Sequence, residues 1–432
     1  MWYRRSQTAV DWTWLCFSFS VLVFPLFPAL GALGLVIVLL RVWQANFNRI
    51  IESSLNRAWA ILAVLMIISS ALAYQSTPAW LGLANFVPFF ALFAALRCLI
   101  RHPVRLTQLS WLLILPSVPI VILGLGELFL NWDTPGLIES ILGWQLVPLG
   151  IPPGRMSAVF IYANFLAIYL AIAFCLTLGL WLETWYTKGK SDRRSIYILI
   201  LLTIILFTDL SGLVLTSSRN AWGLVIIGFM AYAVYLGWRW LVWGVTAAAT
   251  VILWASFAPN LGGEQLRTVV PAFIWARLSD RMYPDRPVET LRITQWQFCG
   301  DLIQQRPLLG WGLRNFTPLY EAKTSFWFGH PHNLFLMLSA EVGIVAVLLL
   351  VAIVGSIMIA ATRLLLSDRQ PHLILFSYML AFMSCIIFNL TDVSIFDLRV
   401  NTISWILLAA ISGVASTKQS EKISKAIARS YL

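Results

Sequence analysis

The sequence predicts an all-α integral membrane protein of about twelve transmembrane helices with one large, partly helical periplasmic loop. Three observations carry this expectation. Of the 432 residues, 59% are apolar or aromatic and 11% are charged, with a mean hydropathy of +0.81, whereas a soluble domain carries about 25% charged residues. At about 20 apolar residues per membrane helix, the apolar fraction suffices for about twelve spans. Third, 19 of the 30 basic residues fall on one side of the resulting topology and only three on the short segments of the other. The net charge of +11 therefore reports orientation through the positive-inside bias, and it excludes a nucleic-acid partner as its explanation.

The apolar runs lie, in order, at about 14–24, 28–40, 58–74, 80–96, 109–130, 157–182, 195–215, 222–236, 240–258, 333–362, 372–391 and 400–416. Pro25 and Pro28 divide the first stretch into two short halves. Charge decides that these form a hairpin. As one span, 14–40 would set Arg41, Arg49 and Arg57 opposite Arg4 and Arg5; as a hairpin it keeps all five on one side. The alternation then collects Arg97, Arg101, Arg105, Lys188, Lys190, Arg193, Arg194, Arg239, Arg363, Arg369 and the tail from Lys418 on that same inner side. The short outer segments hold Arg155, Arg219 and Arg399, so both termini are expected in the cytoplasm of a bacterial inner membrane.

The resulting division is 1–258 for the first nine helices, 259–332 for a long periplasmic loop, 333–416 for the last three helices and 417–432 for a basic cytoplasmic tail. That tail suits contact with anionic lipid headgroups. No small-x-small cleavage site follows Arg4 and Arg5, so the N-terminal segment reads as a retained anchor. Cysteines number five, and only Cys299 stands outside an apolar run, which leaves no disulfide framework and no CxxC metal motif. No internal repeat is visible.

The loop is the one segment large enough to carry its own structure. Trp275, Trp296, Trp311 and Trp327 stand among its eight basic and six acidic residues. Val288–Gln305 reads as a helix with Leu291, Phe298 and Leu302 on one stripe and Arg292 near Trp296, opened by Pro287 and closed by Pro307. A turn-rich Pro307-Leu-Leu-Gly310-Trp-Gly312 follows, then Gly329-His330-Pro331-His332-Asn333 at the mouth of the tenth span.

If His332 begins that span, Leu336, Ser339 and Gly343 share its face and Gly343 allows a close approach of another backbone or of a lipid chain. Glu341 then points to the opposite side, and a carboxylate at that depth needs a partner of its own. Arg219 sits in the outer turn Thr216-Ser-Ser218-Arg219-Asn-Ala-Trp222 with no acidic neighbour, so Asp209, some turns below, is its expected partner. By residue type alone each has a structural alternative. His332 could cap the helix start beside Asn333, a good N-cap, and His330 could be an ordinary loop residue. Arg219 could snorkel, Arg292 could belong to a surface ion pair, and Glu127 could anchor a helix end.

Taken together, Ser218-Arg219-Asn-Ala-Trp222, Arg292 with Trp296, Pro307-Leu-Leu-Gly310-Trp-Gly312 with Asn315-Phe316, His332-Asn333 and Glu341-x-Gly343 resemble the O-antigen ligase and O-antigen polymerase superfamily. The resemblance covers chiefly residues 210–360. Two positions depart from the family pattern: Asn220 stands where the turn usually has Gly, and Ala346 replaces the second Gly after Glu-x-Gly. The resemblance implies an inverting, metal-independent glycosyltransferase without a cofactor. Its donor would be a polyprenyl-diphosphate-linked glycan and its acceptor a lipid-core or glycan hydroxyl at the periplasmic face. It implies His332 as general base and Arg219, Arg292 and Arg314 as diphosphate ligands. His330, Asn333, Ser218, Asp209, Trp296, Glu341 and Gly343 are the expected supporting residues. The chemistry agrees. A diphosphate is a good leaving group whose developing charge fixed cations stabilise, and the guanidinium fork matches it.

A transporter of a small anion such as bicarbonate is the rival expectation. It would place ionisable residues near the membrane midplane on broken helices, whereas arginine, histidine and tryptophan here concentrate at the outer face.

Overall fold

The computed structural model describes residues 11–188, 192–279, 287–367 and 372–430. Arg4, Arg5, Lys190 and Arg369 lie outside these residues, as do the side chains of the tail from Lys418. The described chain is all-helical, as expected.

The hairpin is present: α1 (Trp12–Val23) turns at Phe24–Phe27 into α2 (Pro28–Glu52), with Pro28 at the first helical position, where its missing N–H costs nothing. α2 runs past its apolar stretch, so Arg41 and Arg49 sit on a helix and not in a loop. α3 (Ser54–Ala71) returns, and α4 (Ser76–Gly82) with α5 (Val87–Leu99) makes the next crossing. α6 (Pro103–Ile114) and α7 (Ser117–Phe129) form a further one, bent at Leu115–Pro116 because proline interrupts the helical hydrogen bonds. α8 (Gly136–Leu142) lies in the following connection.

α9 (Ala163–Lys188) is the buried centre, packed by α6, α10 (Arg193–Leu215), α11 (Arg219–Tyr235) and α19 (Leu373–Phe388). Small residues permit this closeness, as membrane packing requires. Gly179 of α9 faces Ser377 of α19 and the Tyr232 hydroxyl of α11. A second aromatic knot joins α3, α5 and α20 (Leu398–Ser430), where the Trp59 ring lies 4.9 Å from that of Phe90 and 5.1 Å from that of Trp405. α12 (Arg239–Phe257) turns Trp240 and Trp243 outward, as a lipid-facing helix does.

The long loop holds α13 (Gly263–Leu266), α14 (Ala272–Leu278), α15 (Arg292–Gln305) and α16 (Phe316–Thr324). α15 starts four residues later than the sequence suggests, because Val288–Thr290 forms a separate 3₁₀ turn. Beyond it, the apolar run 333–362 is not one helix. α17 (Leu334–Val342) ends at Gly343, and α18 (Ile344–Ser367) begins a new direction. The helical-wheel placement of Gly343 beneath His332 therefore fails.

Among the described residues, nine helical stretches are long and apolar enough to cross a membrane, and α1, α11 and α19 are shorter, at 12, 17 and 16 residues. Length alone thus supports nine of the expected twelve crossings.

Candidate active site

Four segments distant in sequence meet at one end of the bundle: the His330–Asn333 turn, the turn between α19 and α20, the start of α9 and the turn before α11. Asn333 is the N-cap of α17. Its Oδ1 accepts from the Leu336 N–H at 3.0 Å and its Nδ2 donates to the Leu390 carbonyl at 3.0 Å. His332 stands outside the helix at φ 54°, so it does not begin a span and is not the cap.

That backbone turn aims the His332 ring at Asp392. Nδ1 lies 3.3 Å from Asp392 Oδ1, which also accepts the Val393 N–H at 2.9 Å. The His332 N–H donates to His330 Nδ1 at 3.2 Å, leaving the hydrogen of His330 on Nε2, 3.7 Å from the same Asp392 oxygen. Burial pushes the His330 imidazole down to about 4; Asp392 opposes this, while the charges of His332 and Arg292 add to it. Burial alone would raise Asp392, but the His332 hydrogen bond, both imidazoles and the Val393 N–H outweigh it and hold the carboxyl at about 2. An ionised carboxylate fixes the Nδ1–H tautomer of His332 and leaves Nε2 without a hydrogen, able to accept a proton.

Asp392 Oδ2 accepts from Asn164 Nδ2 at 2.6 Å, and Asn164 Oδ1 accepts from Arg155 Nη2 at 2.6 Å. Arg155 Nε donates to the Thr216 carbonyl at 2.7 Å. Hydrogen bonds therefore run from His332 to the turn that presents Arg219, the first residue of α11, behind the buried N-cap Ser218. Ser218 makes no side-chain cap bond in that position.

Arg292 opens α15, and its charge reaches His330. One turn on, Trp296 Nε1 donates to the Pro331 carbonyl at 2.9 Å and holds the histidine turn against the loop. Arg314, at φ 58°, lies over the Phe396 ring at 5.4 Å, and that ring stacks on His330 at 6.0 Å.

Glu341 finds its partner away from His332, as expected. Its carboxylate accepts the Phe316 N–H at 3.1 Å, at the start of α16, where a helix dipole favours negative charge. Pro307–Gly312 wraps the end of α17: Trp311 N–H donates to the Ala340 carbonyl at 3.0 Å, and Ile344 N–H donates to the Pro307 carbonyl at 2.8 Å. Gly310 and Gly343 both have positive φ, and a side chain on Gly343 would run into the Leu308 carbonyl. The close approach expected at Gly343 is therefore to the loop backbone.

Asp209 corrects an expectation. It is fully buried in α10 beside Ser117, whose hydroxyl donates to the Ile114 carbonyl, and its oxygens accept no hydrogen bond among the described residues. It is therefore not hydrogen-bonded to Arg219. Glu127 does anchor structure, accepting the Ser157 N–H at 3.0 Å and the Ala158 N–H at 2.8 Å.

Residues 204–351 match the family model described as O-antigen ligase. This segment is similar to the O-antigen ligase family. No curated protein matches the chain. The family supports glycosyl transfer of the O-antigen ligase or polymerase type, acting on lipid-linked glycan and lipid-core substrates in general, and with the apolar helices it fits a bacterial inner-membrane protein. The ligase-family segment contains Arg219, Arg292, Arg314, His330, His332 and Glu341, but Asp392, Asn164 and Arg155 lie outside it.

Those three are the residues that sequence reasoning missed. A signal existed for Asp392. An imidazole base needs an orienting acceptor, and the topology expected from the sequence puts Asp392 in a turn on the His332 side. Asp397 shares that turn, however, and is taken up by Arg399, 3.7 Å away. Ligand atoms of His330, His332 and Asp392 all lie within 4.8 Å of one another, close enough to hold a metal ion. No sequence spacing announces that grouping.

Proposed function

We propose that the protein transfers a glycan from a polyprenyl-diphosphate-linked donor to an acceptor hydroxyl at the periplasmic face, with both termini in the cytoplasm. His332 Nε2 removes the acceptor proton as the hydroxyl oxygen attacks the anomeric carbon. The bond from that carbon to the diphosphate oxygen breaks, its electron pair leaves with the polyprenyl diphosphate, and the anomeric configuration inverts. Arg219 and Arg292 stabilise the diphosphate charge. Asp392 orients His332 and stabilises the imidazolium. Ser218, Asn333, Trp296, Glu341 and Gly343 position these groups.

The observation that carries this reading is the His332–Asp392 pair, placed between the Arg292 end of α15 and the hydrogen-bonded path to the Arg219 turn. The test is transfer by the purified protein from a lipid-diphosphate glycan, with and without His332→Ala. Transfer that survives in the variant overturns the reading, and loss of bicarbonate uptake with unchanged cell-surface glycan would favour transport instead. Transfer is expected to persist in EDTA. Loss on chelation with recovery on adding a divalent cation would reassign the two histidines and Asp392 to metal ligation.

A further inference from the structure

Beside His330 opens a cleft of about 500 Å³ whose lining includes Gln75, Arg314, Glu321, Trp327 and Phe396. We infer that this cleft is the acceptor subsite and takes a saccharide; the assignment rests on the glycosyl transfer proposed above and names where its second substrate lies.

The chemistry of the lining selects a sugar. A pyranose offers an apolar face of C–H groups and a rim of hydroxyls that both donate and accept. Aromatic surface with a polar rim answers both. Trp327 is 69% exposed although it is the largest side chain of the lining, so its indole face is open to a ligand. Glu321 accepts hydroxyl hydrogens, Arg314 donates to hydroxyl oxygens, and Gln75 does both.

The same lining disfavours the donor diphosphate. Glu321 would repel it, and neither Arg219 nor Arg292 lines the cleft. Arg314 is set apart by the stack in which its guanidinium covers Phe396 and Phe396 covers His330. It therefore belongs with the acceptor, a reassignment from the diphosphate role that the family resemblance implies.

Position completes the argument. In-line displacement puts the attacking hydroxyl and the leaving diphosphate on opposite sides of the anomeric carbon. The base belongs on the hydroxyl side. His330 walls the cleft, and its ring lies 4.6 Å from that of His332, so a sugar in the cleft can present a hydroxyl toward the base. The Arg219 turn connects to His332 through Asp392, Asn164 and Arg155.

Saturation-transfer NMR on the full-length protein in detergent tests this with two lipid-free probes from the producing bacterium: its core oligosaccharide and its polysaccharide repeat oligosaccharide. One of the two is expected to bind, the core for a ligase and the repeat for a polymerase. Trp327→Ala and the conservative Glu321→Gln are each expected to weaken that binding about tenfold, and Trp240→Ala, on the outward face of α12, is expected to leave it unchanged. Binding of neither probe, binding unaffected by both cleft variants, or an equal loss in Trp240→Ala overturns the assignment. Cleft-dependent binding in a protein that performs no lipid-diphosphate transfer would keep the saccharide site and discard the enzymatic reading.

Discussion

His332 Nδ1 and Asp392 Oδ1 stand 3.3 Å apart across 60 residues of sequence, joining the entrance of α17 to the turn before α20. A carboxylate there can only accept, which forces the imidazole hydrogen onto Nδ1. An amide can donate instead and would move that hydrogen to Nε2, removing the base. Asp392→Asn is therefore expected to lower kcat by about 10²–10⁴-fold with little change in donor KM, and His332→Ala to lower it at least as far. Steady-state transfer assays on variants present at normal membrane levels check this. An unchanged kcat in Asp392→Asn would leave the aspartate a purely structural role.

For the diphosphate arginines, shape matters as well as charge. A guanidinium meets two oxygens at once and an ammonium meets one. Arg219→Lys and Arg292→Lys should each retain the charge yet raise donor KM or lower kcat/KM by about tenfold, and the alanine variants by about a hundredfold. Transfer kinetics over donor concentration read this directly. Full activity in both lysine variants would reduce the pair to a diffuse positive field.

The path from Asp392 through Asn164 and Arg155 to the Thr216 carbonyl predicts coupling between the base and the Arg219 turn. Asn164→Ala removes two hydrogen bonds of 2.6 Å and should cost about 1–3 kcal/mol of transition-state stabilisation. In a double-mutant cycle with Arg219→Ala the two losses should fall short of additivity, since either change unlocks the same arrangement. Strict additivity of the two effects on kcat/KM would break the proposed connection.

Much of this site is written locally and part of it is not. Proline at 25 and 28 marks the first hairpin, because helix breaking is a property of single residues. His332, Arg219 and Arg292 are legible because each stands at a loop or helix start with its motif around it. Asn164 and Arg155 are illegible, and nothing local singles out Asp392 over Asp397 of the same turn, because their role exists only once α9, α19 and α20 have packed, and packing in a membrane core follows shape and not periodicity. The run 333–362 misleads for a related reason. Its hydropathy is continuous through Gly343, and the break is imposed by Pro307–Gly312 docking against it.

The depressed His330 imidazole predicts an acid-sensitive fold. Its value falls from 6.5 to about 4 in the folded protein, through burial and the nearby His332 and Arg292 charges despite Asp392. Between those two values the unfolded chain binds a proton that the folded one refuses, so stability is full above 6.5 and falls as pH drops toward 4. The whole difference is on the order of 3 kcal/mol. Asp392 adds its own loss only below its ordinary value of 3.8. Thermal unfolding in detergent from pH 7 to 4.5 should show Tm falling in the native protein and falling less in His330→Gln. Parallel curves for the two proteins would show that other groups carry the acid sensitivity.

Gly343→Ala tests whether the break between α17 and α18 is required. At φ 86° and ψ 160° the residue occupies backbone space that glycine alone adopts without strain, and an added Cβ would strike the Leu308 carbonyl. That carbonyl belongs to the segment whose neighbours bond Ala340, Glu341 and Ile344, so the chain cannot withdraw without releasing those bonds. Strain and overpacking together should cost about 3 kcal/mol or more. They should also loosen the Phe316 contact of Glu341 and, through α17, the placement of His332. Gly355→Ala is the control. It sits within α18 with nothing inside 4 Å of an added Cβ, so alanine should be neutral or slightly stabilising there. Tm of the two variants in detergent separates them, and a Gly343→Ala protein as stable and active as Gly355→Ala would mean that the loop does not depend on this break for its grip on the site.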